Sequence, residues 1–170
     1  MDFFSHIAWT YIIFHKLKKK HLYLALLFGA LPDIIGWGSL LFYNIFFASF
    51  RFGKPNLAAI PDWTWTLYGI SHSLVVFGVI LLLIWLIFRR IPLFVLAYPI
   101  EILMDIPTHS REFLPTPFLW PLSDWHFPGF SWGQQWFMLL NWSLIIVLIT
   151  YINRNKIKEL FKRKNKKGNI

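Results

Sequence analysis

An all-α, polytopic membrane protein is the fold class the sequence predicts, with about five helical segments, one of them broken, and a long outer loop. Three observations predict it. Of 170 residues, 56% are hydrophobic and 20% aromatic, and the mean hydropathy is +0.51, whereas soluble domains need more polar surface to stay dispersed. The apolar residues fall in runs, several of them close to the roughly 20 residues that cross about 30 Å of hydrocarbon as a helix. Finally, the net charge of +9 is gathered at the ends of those runs: Lys16 with Lys18–Lys20, Arg89-Arg90, and a tail from Arg154 to Lys167.

The segments follow in order. Phe3–Phe14 is helical in character but short. His21–Phe50 is long and carries Gly29, Pro32-Asp33, Gly36 and Gly38, which predict a broken helix. Leu67–Phe88 reads as one clean span, Leu93–Ile106 as a shorter one containing Pro99, and Trp136–Ile152 as the last. Cytoplasmic loops of membrane proteins are enriched in Lys and Arg. Setting Lys16–Lys20 inside then brings Arg89-Arg90 and the tail to the same side and leaves loops 51–65 and 107–135 outside. Trp63, Trp65, Trp120, Trp125 and Trp132 lie in those outer loops, as an interfacial aromatic belt requires. Residues 1–152 thus form one embedded helical domain and 153–170 a basic cytoplasmic tail able to meet anionic lipid. The expected location is the inner membrane. Basic clusters at span ends speak for topology rather than nucleic-acid binding, so no nucleic acid is expected. The absence of cysteine removes disulfides and thiolate metal sites. Asp2 and His6 stand where a cleavable leader would carry its basic region, so none is expected.

An ionisable group in hydrocarbon costs several kcal/mol unless it is paired, hydrated or bound to an ion. Few such residues occur within or beside the runs: His6, Asp33, His72, Glu101, Asp105 and His109. On the five-segment topology most of them fall in the outer half. Glu101 and Asp105 are four residues apart, so their carboxylates share a helical face. Two acids that close require one to be protonated or a cation to sit between them. Carboxylate and imidazole without thiolate suit Zn²⁺ first, with Mn²⁺ or Mg²⁺ as alternatives. Such an ion acidifies coordinated water and polarises an ester oxygen. Each residue also has a plain structural reading. Asp33 can cap a half-helix, His72 can hydrogen-bond between helices, and the acids can pair with Arg111 or a lysine.

With those residues in view, the sequence resembles a family of bacterial and archaeal inner-membrane metal-dependent hydrolases, one branch of which is labelled LexA-binding. The likeness rests on His6, on Leu31-Pro32-Asp33, on Ser71-His72-Ser73-Leu74, on the helix end bearing Asp105 and Thr108, and on the block Thr116–Phe127, TPFLWPLSDWHF. It covers nearly the whole chain to about residue 135. It implies a distant relation to the all-helical zinc phospholipase C fold, and with it phosphoester hydrolysis. Two positions depart from the family pattern: Leu67-Tyr68 stands where many members carry His-Arg, and Glu101 stands where a histidine is usual.

The expectation is therefore a membrane-embedded hydrolase of a phospholipid or lipid-linked phosphoester. His6, Asp33, His72, Glu101 and Asp105 would hold the metal, and His109 or Asp33 would move protons. Arg111 would face an anionic headgroup, and Ser71, Thr108 and Asp124 would support the ligands. The alternative is a non-catalytic carrier or adaptor with a buried acid and histidine cluster.

Overall fold

The computed structural model of the chain describes residues 1–47 and 57–167. Every regular element among them is helical. Helix α1 (Phe3–Phe14) begins where the Asp2 side chain accepts the Ser5 backbone N–H at 3.0 Å, an acidic N-cap that satisfies an otherwise unpaired amide. It stops at His15, just ahead of the lysine cluster.

Helix α2 (Lys19–Asp33) passes directly into a π turn (Ile34–Gly38) and then α3 (Ser39–Phe47), a continuous span of 29 residues. The break expected at Pro32-Asp33 is absent. Pro32 sits in the last turn of α2, the Ile34 amide reaches both Ala30 O and Leu31 O, and the winding widens rather than stopping. The end of this run at Phe50 and the first part of the outer loop expected over 51–65 lie outside the described residues.

The run expected as one clean span over 67–88 is instead two helices, α4 (Asp62–Ser71) and α5 (Leu74–Phe88), bent by 51°. Ser73 causes the break. Its side chain accepts the amides of Val75 and Val76 at 3.1 Å each and donates to Trp120 O. A cap of that kind starts a new helix, so His72 lies at a helix end rather than inside a span. Helix α6 (Ala97–Thr108) follows a short 3₁₀ turn (Leu93–Leu96) and carries Pro99 in its first turn, where a missing N–H breaks no helical bond. Helix α7 (Gln135–Lys167) is the longest.

Among the described residues two helical stretches, Lys19–Phe47 and Gln135–Glu159, are long and apolar enough to cross a membrane, and a third crossing exists if α4 and α5 act as one bent span. That corrects the expectation of five crossings. Helices α1 and α6 have 12 residues each, too few for a full crossing at 1.5 Å per residue.

Helix α2 is central: it packs against α1, α6 and α4, while α1 also contacts α6 and α7. Apolar and polar side chains separate along this bundle. Phe14, Ala25 and Ala97 form a buried core with Phe28 and Phe94 packed on it. Phe14 and Ala97 lie at the ends of their helices nearer the Lys16–Lys20 and Arg89-Arg90 clusters. The opposite end carries His6, Asp33 and Asp105.

Close approach of α1 to α2 depends on Gly29. A Cβ there would stand 2.3 Å from Thr10 Oγ1. Gly29→Ala is therefore expected to cost about 1–3 kcal/mol by overpacking, read as a lower Tm in detergent. Adding Thr10→Ala should recover part of that loss, because it deletes the obstructing oxygen, which is buried and has no hydrogen-bond partner.

Candidate metal centre

Two irregular places in the backbone and one face of a regular helix deliver the ionisable side chains to one volume. Asp33 stands at the junction of α2 with the π turn. His72 follows the last residue of α4, with its own amide donating to Tyr68 O. Glu101 and Asp105 lie one turn apart on the inner face of α6, as their spacing predicts. One ligand atom from each of Asp33, His72, Glu101 and Asp105 can be chosen so that all four lie within 4.8 Å of one another.

The contacts centre on His72. Its Nε2 is 3.6 Å from Asp33 Oδ1, 3.6 Å from Glu101 Oε1 and 3.8 Å from Asp105 Oδ2. Its Nδ1 lies 2.9 Å from Ser71 Oγ, which fixes the ring with Nε2 facing the acids. Tyr68, one turn earlier, covers the imidazole with ring centroids 4.2 Å apart and donates its hydroxyl to Leu114 O. Gly36 in the π turn lets that turn lie against Tyr68, Ser71 and His72, since a Cβ there would sit 3.2–3.5 Å from all three.

His6 borders the quartet from α1. Its Nε2 is 2.8 Å from Asp105 Oδ1 and 3.8 Å from Glu101 Oε1. The Met1 amine also pairs with Asp105 Oδ1. His6, His72, Glu101 and Asp105 are all essentially without solvent contact, and Asp33 is the one quartet member with a partly exposed side chain. Several of the buried atoms have no hydrogen-bond partner: Nδ1 of His6, Nε2 of His72 and both oxygens of Glu101. Orphaned donors and acceptors of this kind, aimed at one another across 3.6–3.8 Å, suit coordination of a cation better than direct pairing.

His109 stands beside this group. Its Nδ1 is 3.4 Å from Asp105 Oδ2, 3.2 Å from Asp105 O and 3.3 Å from Thr116 Oγ1. Burial holds its imidazole below the ordinary range, at about 4, against the pull of Asp105. Thr108 Oγ1 donates to Met104 O at 2.9 Å. Arg111 lies on the loop surface, donating to His126 O at 3.0 Å with its guanidinium over Trp125. Asp124 is exposed on the same loop.

Three contributors escape a reading of the sequence. Tyr68 is four residues before His72 on one helical face, a spacing that identifies it only once His72 is known to matter. Thr116 is hidden in a proline-rich stretch, and Ser73 is masked by the apolar run around it.

The loop between α6 and α7 is tied over the site by backbone bonds: Leu74 N–H to Phe118 O, Phe130 N–H to Pro107 O and Trp132 N–H to Thr108 O. Gly129 makes the last two possible. A Cβ there would come within 2.4 Å of His109 O and 2.6 Å of Pro107 O, both rigid backbone atoms. Compared with known proteins, the chain matches no family model, no curated protein and no solved structure.

Gly129→Ala should therefore lift the loop. The expected result is faster hydrogen exchange at the Phe130 and Trp132 amides, with α2 protection unchanged.

Proposed function

We propose that the protein is a membrane-embedded, metal-dependent hydrolase of phosphoesters, with Asp33, His72, Glu101 and Asp105 holding a divalent cation and His6 completing the shell. The observation that carries this reading is the convergence of the quartet within 4.8 Å, together with the unpartnered oxygens of Glu101 and Nε2 of His72. Zn²⁺ is the first choice of ion, with Mn²⁺ or Mg²⁺ as alternatives. Once bound, the cation supplies Lewis acidity toward a phosphoryl oxygen and toward water. The chain's own groups do the rest. Ser71 and Tyr68 keep His72 turned toward the acids. His109, beside Asp105, or Asp33, at the partly open side, takes a proton from the attacking water and returns one to the leaving oxygen as the P–O bond breaks. Arg111 meets the charge of a phosphate headgroup.

A location at the polar end of the bundle favours a lipid phosphoester over a large soluble substrate. In this reading the chain is an inner-membrane, multi-pass protein. The lysine cluster, Arg89-Arg90 and the basic tail face the cytoplasm, and the quartet lies toward the outer face. Supporting that orientation, α1 and α5 run toward the basic residues that follow them, Lys16 and Arg89, and α7 runs into the basic tail. The short α1 and α6 then serve as partial crossings, and the tail meets anionic lipid. Resemblance to the inner-membrane hydrolase family agrees with the chemistry, with Glu101 replacing a histidine by an oxygen donor.

The π turn beside Asp33, within the 29-residue span, favours a second reading. Irregular winding in a span is also how carriers expose an ion site. Cation-dependent uptake into proteoliposomes, without ester turnover, would select it.

Elemental analysis of unchelated protein should find stoichiometric divalent metal, lost in Asp105→Ala and in Glu101→Gln. After chelation, restoring the ion at ~100 times its Kd should stabilise the wild type by about 2.7 kcal/mol, read as a rise in Tm. Glu101→Gln, which removes a buried charge, should melt no lower than the chelated wild type and gain little from metal. A wild type without metal and without a Tm response ends the hydrolase reading.

A further inference from the structure

A cavity of about 420 Å³ opens between α1, α6 and α7, within the roughly 300–1,000 Å³ range of ligand sites. Leu103 and Met104 of α6 form one wall, Phe137, Leu140 and Leu144 of α7 the other, and Trp9 of α1 the floor. The α7 residues recur at i, i+3 and i+7, one helical face. That face belongs to a helix long and apolar enough to cross a membrane, so the groove opens sideways into hydrocarbon.

We propose that this groove seats one acyl chain of a membrane phospholipid whose headgroup is presented to the metal centre. The inference rests on the proposed hydrolase reading and adds the part of the substrate that the quartet cannot specify. Two observations select a hydrocarbon occupant. Polar groups along the groove are already engaged with the protein: Asn141 Nδ2 donates to Ser5 Oγ at 2.8 Å, Asn141 Oδ1 accepts Trp9 Nε1–H at 2.8 Å, and Thr108 Oγ1 donates to Met104 O. A polar or hydrated ligand therefore finds no partner there, whereas a hydrocarbon chain loses nothing by entering. The second observation is continuity. Met1 and Thr108 line one end of the groove, and the Met1 amine touches Asp105 of the quartet. An amphiphile lying with its tail between α6 and α7 thus has its polar head beside Met1, the residue that separates the groove from Asp105.

The test uses the full chain in nanodiscs containing a phosphatidylglycerol with a diazirine midway along one acyl chain. After irradiation, peptide mapping should place adducts mainly on Leu103, Met104, Leu140 and Leu144. Val79, Leu82, Leu83 and Leu86 of α5 are comparably exposed and should be labelled far less. Leu140→Trp, which fills the groove, should lose most of the groove adducts while keeping its bound metal. Adducts spread evenly over α5 and α7, or undiminished in Leu140→Trp, overturn the proposal. So does a dimer in native mass spectrometry that Leu140→Trp dissociates, because a second copy would then be the occupant. Labelled groove without metal overturns the hydrolase reading alone; bound metal with an unlabelled groove overturns the acyl seat alone.

Discussion

Desolvation of four ionisable side chains governs the architecture. His6, His72, Glu101 and Asp105 have at most 1% of their surface exposed, in a chain with apolar spans. Each carries a cost of several kcal/mol in its charged form unless a neighbour offsets it. Asp105 has several such neighbours in the Met1 amine, His6 and His109. Glu101 has only imidazoles at 3.6 and 3.8 Å, beyond hydrogen-bonding range, and both its oxygens are orphaned. The cluster is therefore balanced at Asp105 and short of a partner at Glu101. A buried polar network that is only half satisfied is worse than an apolar core, and a cation held as proposed would give Glu101 the partner it otherwise lacks.

The backbone irregularities make sense against that requirement. Non-helical winding at membrane depth is tolerated where protein covers it, and here the winding changes where a polar ligand must be delivered. The π turn follows Asp33, the serine-capped break follows His72, and α6 ends at Thr108, three residues after Asp105. Elsewhere the helices are regular and the core is made of Phe14, Ala25 and Ala97 with aromatic neighbours. The loop after α6 then closes the polar end with backbone bonds rather than with charged side chains. Arg111, Glu112 and Asp124, its charged members, stay at the surface, Arg111 bonded to the loop's own backbone.

Helical class and the shared face of Glu101 and Asp105 were legible in the sequence because both depend on short-range signals. Apolar runs report burial in helices, and the four-residue spacing of Glu101 and Asp105 reports a shared face whatever the tertiary fold. Span count was not legible, since hydropathy averages over a window and cannot see a single capping hydroxyl. Ser73 splits a run that reads as continuous, and Pro32 leaves intact a run that reads as broken. Proline removes one donor and one rotation, and whether that stops a helix depends on whether wider winding can absorb it. Contacts at long sequence separation were equally invisible: Asn141 with Ser5 and Trp9, and His6 with Asp105, join the first helix to later ones.

Donor chemistry bears on which cation the proposed centre would hold. The quartet offers three carboxylates and one imidazole, with His6 as a second imidazole alongside. Zn²⁺ is satisfied by four ligands in tetrahedral array and accepts nitrogen readily. Mn²⁺ and Mg²⁺ take six, mostly oxygen. Glu101 moves the set toward oxygen and adds a negative charge. It also changes the balance at Asp105: with two acids one turn apart on α6, a divalent ion relieves their mutual repulsion as well as filling its own shell. A histidine at 101 would leave only its own coordination to gain. An acid at this position therefore strengthens the electrostatic case for an ion in the proposed centre, and its oxygen donors keep Mn²⁺ and Mg²⁺ as alternatives to Zn²⁺.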